Sequence, residues 1–351
     1  MLGSPRRRGE SMRIGLVGYG AWGRMHAATI GRIEGLHLSG VVCGSEASAQ
    51  AAAADLPGVP VHRTLDALLG DPAIELVDIV APNHLHAAMA IAALDAGKHV
   101  LLEKPMATSL VDAERVVAAA ERSGRYCGVG LELHVSKQWA KVRELIAEGA
   151  LGRLRFGNLT LFRRPFRGGS GGWRLDRARV GSWILEEPIH YFDLLLWYFK
   201  ECGLPVEVST DGVPSPLGPG MYDAFTATLR FADGSYAVFS QCLGGFEHSL
   251  VLEIAGDHGA LRTWWAGALD RTHTPDFELK LQRAGSADAE IVPIEKSGEV
   301  FELEEQLRRL IGDVPARTPL VSAGAALPSL KVCLAVEQAL ADRRAIKLAW
   351  S

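Results

Sequence analysis

One stretch near the start of the chain, Met12 to Ala28 (MRIGLVGYGAWGRMHAA), constrains the fold more than any other. Ile14, Leu16 and Val17 make a short apolar run of the kind that forms a buried strand. Gly18-Tyr19-Gly20-Ala21-Trp22-Gly23 follows at once, and a helix-compatible segment opens behind it. This is a G-x-G-x-x-G pattern in strand-turn-helix context. In such a turn the first glycine permits the tight bend and the second lets the backbone approach a pyrophosphate. The third brings helix and strand together. The helix N-terminus adds unpaired N–H groups and a positive dipole end. Gly18, Gly20, Ala21, Trp22 and Gly23 are therefore the first cofactor-binding candidates, and the pattern predicts a dinucleotide site.

With 351 residues the chain exceeds what one core usually serves, which predicts two domains. Apolar residues at 48% and charged residues at 22% fit a globular enzyme rather than a disordered chain. A net charge of -4 argues against a nucleic-acid surface. Cys43, Cys127, Cys202, Cys242 and Cys333 are scattered and odd in number, which suits reduced thiols in a cytoplasmic protein. The histidines lack metal-ligand spacing, so no metal is expected. Residues 1–11 carry Arg6-Arg7-Arg8 without an apolar h-region behind them. They read as a disordered leader, and either Met1 or Met12 could be the true start. No run is long and apolar enough to span a bilayer.

Strand and helix signals alternate as far as Val129, which implies a doubly wound parallel sheet. Leu36 to Cys43 reads as the second strand, and the residue ending it decides the ribose contact. An Asp or Glu there would bond the 2′-hydroxyl and repel a 2′-phosphate. The position holds Gly44, followed by Ser45 and Glu46, and no Arg or Lys stands beside it. Ser45 could donate to either form of the cofactor and Glu46 could serve as the ribose acid, so NAD and NADP both stay open. Leu76 to Val80 is a further strand running into Pro82-Asn83-His84-Leu85-His86. His99 to Leu102 delivers Glu103-Lys104-Pro105 at its carboxyl end, where open parallel sheets bind ligands.

The glycine pattern, Pro82-Asn83-x-x-His86 and Glu103-Lys104-Pro105 together resemble the Gfo/Idh/MocA family of nicotinamide-dependent oxidoreductases, which includes glucose–fructose oxidoreductase and inositol dehydrogenases. The resemblance runs from Met12 to about Leu348. It implies that Lys104 reaches the substrate hydroxyl and that Pro105, often in a cis bond, aims it. Pro82, Asn83, His86 and Glu103 become cofactor-binding candidates, with His86 near the nicotinamide. The domains expected are a Rossmann domain over 12–133 and a substrate-binding and oligomerisation domain over 134–351.

From Leu154 onward the pattern changes to longer alternating strands, and Ala232-Asp233-Gly234-Ser235 reads as a hairpin turn. This predicts an α+β domain with a mainly antiparallel open sheet. The resemblance implies that the open face pairs with another copy, giving a homodimer or homotetramer. Between Arg163 and Trp183 lie six arginines, five glycines and two tryptophans. Such a loop could close over substrate through Trp173 and Arg174, or serve as a solvated loop or subunit contact.

The segment Glu186-Glu187-Pro188-Ile189-His190-Tyr191-Phe192-Asp193 resembles the family's Asp-x-Gly-x-His-x-x-Asp. His190 and Asp193 match, Glu186 replaces the first Asp, and Pro188 replaces the Gly. Proline is best tolerated in a helix's first turn, so a helix is expected to begin near Glu187 with Glu186 just outside. His190 is the expected base, Lys104 the holder of the substrate oxygen, and Glu186 the residue that orients the imidazole or binds a neighbouring hydroxyl. Asp193 is expected to be structural or to touch substrate. The activity expected is NAD(P)-dependent oxidation of a secondary hydroxyl on a sugar, glycoside or cyclitol. The alternatives are a cofactor-retaining isomerase or glycoside-cleaving enzyme, and a non-catalytic cofactor-binding regulator.

Overall fold

The structure is a computed structural model that describes residues 11–218 and 220–350. The expected leader, residues 1–11, lies outside these but for Ser11. Two compact units share the chain: one runs to Leu131 and takes in Leu303–Leu327, the other holds Glu132–Glu302 and continues from Pro328. Leu303–Leu327 come from beyond the expected boundary and fold with the first unit.

The first unit alternates β1 (Met12–Val17), α1 (Ala21–Ile30), β2 (Leu36–Val42), α2 (Glu46–Asp55), β3 (Val61–His62), α3 (Leu65–Leu69), β4 (Leu76–Ile79), α4 (His86–Asp95), β5 (His99–Glu103), α5 (Leu110–Ser123) and β6 (Cys127–Gly130). The strands form one parallel sheet in the order β3-β2-β1-β4-β5-β6. The order reverses between β1 and β4, which is the switch point where such sheets bind ligands. Helix ends follow local chemistry. Thr64 caps α3 and Ser109 caps α5 by accepting backbone N–H groups, and Gly124 closes α5 in the left-handed conformation. Met12, Ile14 and Leu16 of β1 are fully buried. Leu303, Leu307, Leu310 and Val314, spaced along one helical face, pack into the same core.

The second unit contains α6 (Trp139–Ala147), β7 (Leu154–Phe162), α7 (Arg177–Val180), α8 (Trp183–Glu186), α9 (Pro188–Tyr198), β8 (Glu207–Pro214), β9 (Tyr222–Arg230), β10 (Tyr236–Cys242), β11 (His248–Gly256), β12 (Gly259–Gly267), β13 (Asp276–Arg283) and β14 (Glu290–Ile291). Two long helices then divide between the units, α10 (Glu299–Ala316) and α11 (Ala323–Asp342), and β15 (Ile346–Lys347) ends the chain's strands. The sheet runs β14-β13-β12-β11-β7-β10-β9-β8-β15. It is antiparallel except where β7 lies parallel to β10. The expected hairpin joins β9 to β10, with Gly234 at φ 88° in its turn. Burial alternates along these strands, with Leu159 and Leu161 inside on β7 and Leu250, Leu252 and Ile254 inside on β11. α9 lies over that inner face through Phe192, whose ring meets Phe239 at 5.0 Å, and through Tyr191 stacked on the same ring. Burying a side chain of this size contributes about 1.5–3 kcal/mol.

Candidate active site

In the first unit the three glycines of the opening turn have separate physical reasons. Gly18 has φ 100°, and a Cβ there would lie 2.1 Å from the Val80 carbonyl oxygen. A Cβ on Gly23 would lie 2.0 Å from the Gly18 carbonyl oxygen, so α1 and β1 can approach only with glycine at this position. Gly20 differs: a Cβ there meets nothing within 4 Å, and no side chain caps α1. The first and third glycines are required by packing, whereas the second opens onto space at a helix N-terminus. That geometry fits a dinucleotide pyrophosphate, held by backbone N–H groups of α1. Gly20→Val is therefore expected to keep wild-type stability to within about 1 kcal/mol and to lose nucleotide binding. Thermal unfolding beside a nucleotide titration checks this, and unchanged binding would remove Gly20 from the site.

Beyond β4, Asn83–Leu85 form a short 3-10 turn and His86 opens α4. The His86 ring is buried, with Nδ1 2.7 Å from the Pro105 carbonyl oxygen and Nε2 2.7 Å from that of Ala81. It clamps the loop after β4 to the turn after β5. The Lys104–Pro105 bond is cis. Glu103 turns inward and accepts a hydrogen bond from the Lys104 backbone N–H at 3.2 Å.

Beneath that turn lies a cluster that the sequence reading missed. His26 on α1 is fully buried, with Nδ1 2.8 Å from Asp78 on β4 and Nε2 3.5 Å from Glu103 on β5. Burial alone would lower the His26 pKa, but Asp78 and Glu103 override it and raise the value to about 10. Burial likewise pushes the Glu103 carboxyl up, and His26 and Lys104 overcome this and hold it at about 2. His26 is thus set between the Asp78 and Glu103 carboxyl groups, and both favour its protonated form. The ring of Trp22 packs edge-on against His26.

Ser45 is committed elsewhere than expected. Its hydroxyl caps α2 by accepting the Ser48 N–H, and the Ser48 side chain returns the contact in a capping box. The expectation that no Arg or Lys stands beside this strand end is corrected by Arg63. It follows β3 and donates from Nη1 to the Ser45 carbonyl at 2.6 Å.

In the second unit α8 ends at Glu186, Glu187 has non-helical angles, and Pro188 occupies the first turn of α9. This break agrees with the proline argument and leaves Glu186 at the end of the preceding helix. Glu186 pairs with Arg174, whose guanidinium stacks on Trp173 at 4.4 Å. His190 Nε2 lies 3.8 Å from Glu132, both side chains being nearly buried. Glu132 sits in a 3-10 turn directly after the first unit and carried no signal as a site residue. Asp193 accepts from His134 at 2.5 Å, and the His134 ring stacks on Trp197 at 4.1 Å. Asp193 is thereby a structural partner of His134.

Glu187, unnoticed in the sequence, anchors a buried polar group: it pairs with Arg163, accepts from the Tyr191 hydroxyl at 3.2 Å and lies 3.5 Å from His248. A cavity in this unit is lined by His190, Glu132, His248, Asp270, Glu299 and Glu302. Burial pushes Glu302 up to about 7, against the hydrogen bonds it receives. Burial and the nearby Arg163 lower His248 to about 3, which keeps it neutral. The arginine-rich loop is more tied down than a free lid. Trp173 is buried with Val180, Trp183, Met221 and Leu243. Arg163, Arg174 and Arg177 are each ion-paired, to Glu187, Glu186 and Glu337.

Comparison with known proteins bears on both units. Residues 12–131 match the model for the oxidoreductase family with an NAD-binding Rossmann fold, and residues 139–262 match the GFO/IDH/MocA C-terminal domain. The chain belongs to the Gfo/Idh/MocA oxidoreductase family. A relative within it is 1,5-anhydro-D-fructose reductase of Ensifer adhaerens, 30% identical over 68% of this chain and 74% of that protein. A second is 1-carboxy-3-chloro-3,4-dihydroxycyclohexa-1,5-diene dehydrogenase of Comamonas testosteroni, 38% identical over 70% of this chain. The match spans 61% of that enzyme's length. The crystal structure of an aldose-aldose oxidoreductase from Caulobacter crescentus, 22% identical, superposes with a TM-score of 0.81. It covers 97% of this chain and 100% of that one, and it shows the shared family fold. Among the described residues no helix is long and apolar enough to cross a membrane.

Proposed function

We propose that this chain is an NAD(P)-dependent dehydrogenase oxidising a secondary hydroxyl on a polyhydroxylated ring, a sugar, glycoside or cyclitol. The observation that carries the reading is His190 beside Glu132 on a cavity rich in carboxylates, in a chain whose first unit holds a dinucleotide cradle. The two relatives are named as a dehydrogenase of a dihydroxylated carbocycle and a reductase of an anhydrosugar, which supports the substrate class. Bound nicotinamide would supply the hydride acceptor. His190 would take the hydroxyl proton, and Glu132 would stabilise the imidazolium that forms. Lys104 would hold the substrate oxygen and favour the developing alkoxide. Carboxylates in the cavity would accept hydrogen bonds from other substrate hydroxyls.

The same reading includes a cytoplasmic homodimer or homotetramer that covers the open face of the nine-stranded sheet. Val251 and Trp264, paired across β11 and β12, lie half-buried on that face. The test of the activity is absorbance at the reduced-nicotinamide band while inositols, aldoses, glycosides and sugar acids are offered with NAD or NADP. A substrate-dependent rise supports the dehydrogenase. No rise across the panel, with cofactor retained through gel filtration, would favour transient oxidation or a regulatory role instead.

A further inference from the structure

We infer that this chain takes the 2′-phosphorylated cofactor, NADP(H), and that Arg63 selects it. The inference rests on the dinucleotide reading of the first unit. At the end of β2, Gly44 stands where an acid would receive the ribose hydroxyl, and a Cβ built there meets nothing within 4 Å. That strand end therefore opens onto space and carries no carboxylate of its own. β3 pairs with Val41 and Val42, and the Cys43 N–H donates to the His62 carbonyl at 3.0 Å. Arg63, the next residue, is thus delivered beside the end of β2.

Arg63 is about half exposed, and the Ser45 carbonyl takes its Nη1 at 2.6 Å. Among the described residues this is its one hydrogen bond and Glu46, at 3.8 Å, its one ion-pair partner. A guanidinium anchored through one nitrogen keeps its other N–H groups for an anion, and its planar fork matches a phosphate. It offers no acceptor to a ribose hydroxyl. The Ser45 hydroxyl, used in capping α2, does not substitute. Glu46 is the opposing group. It is mostly exposed and also accepts from Gln50 at 3.2 Å, so its carboxylate is drawn along the helix surface.

The experiment is a titration of the full chain with NADPH, NADH, 2′,5′-ADP and 5′-AMP by calorimetry. Wild type is expected to bind NADPH about 10-fold or more tightly than NADH, and 2′,5′-ADP more tightly than 5′-AMP. Arg63→Gln is expected to weaken NADPH and 2′,5′-ADP by about 10- to 100-fold and to leave NADH and 5′-AMP unchanged. Glu46→Gln should tighten NADPH. NADH binding as tight as NADPH, an Arg63→Gln loss shared by both cofactors, or a loss of NADH in Glu46→Gln would each overturn the inference while leaving the dehydrogenase reading in place. Failure of wild type to bind either cofactor would overturn the dinucleotide reading as well.

Discussion

Replacing His26 with leucine is expected to cost about 3–5 kcal/mol of folding stability, because it removes the buried cation from between the Asp78 and Glu103 carboxyl groups. Asp78 and Glu103 flank the ring from two neighbouring strands, and all three side chains are buried. The pH dependence has a definite sign. The folded pKa of about 10 lies above the ordinary value of 6.5, so the folded state binds the extra proton. The contribution is complete below about pH 6.5 and is lost as pH rises through about 10. Urea unfolding followed by tryptophan fluorescence should show a larger gap between wild type and His26→Leu at pH 6 than at pH 10. Adding Asp78→Asn to the leucine variant should recover part of the loss. A cost under about 1 kcal/mol at pH 6 would mean that the site is neutral in the folded protein.

The opening turn could be read in advance because its logic is local. Strand, glycines and helix are contiguous, and Gly18 and Gly23 each answer to an atom within a few residues or just past the adjacent strand. Glu103-Lys104-Pro105 was equally legible, as a strand end in a parallel sheet. What could not be read is what pairing of distant segments creates. His26 looks like any helical histidine until β4 and β5 bring Asp78 and Glu103 beneath it. Arg63 follows a strand of two residues, and only the register of β3 on β2 places it beside the end of β2. Leu303–Leu327 sit late in the chain, and their helical apolar stripe does not say which core it faces. Glu132 was hidden differently: it lies in a short turn between units, where a charged residue is ordinarily just solvated. Pro188 gave a correct signal, since the helix does start there. The pairing of Glu186 with Arg174 was not legible, because Arg174 lies twelve residues earlier in a glycine-rich loop with no periodicity to place it.

His190→Ala is expected to lower kcat by about 10²- to 10⁴-fold on whichever substrate the absorbance panel identifies, the usual range for removing a general base. The two glutamates should then separate. Glu132→Gln removes the carboxylate 3.8 Å from His190 Nε2 while keeping its shape. The imidazolium formed during proton transfer loses a counter-charge, so kcat falls by about 10-fold or more and the acid limb of the pH–rate profile moves down. The direction follows from the charge: without Glu132 the protonated ring is less stable, and His190 becomes a weaker base. Glu186→Gln breaks the pair with Arg174 and loosens the loop that buries Trp173. Its expected signature is a change in KM or in thermal stability, with the pH profile unmoved, because the Glu186 carboxylate is held in its ion pair with Arg174. A moved pH profile in Glu186→Gln, with none in Glu132→Gln, would return the orienting role to Glu186.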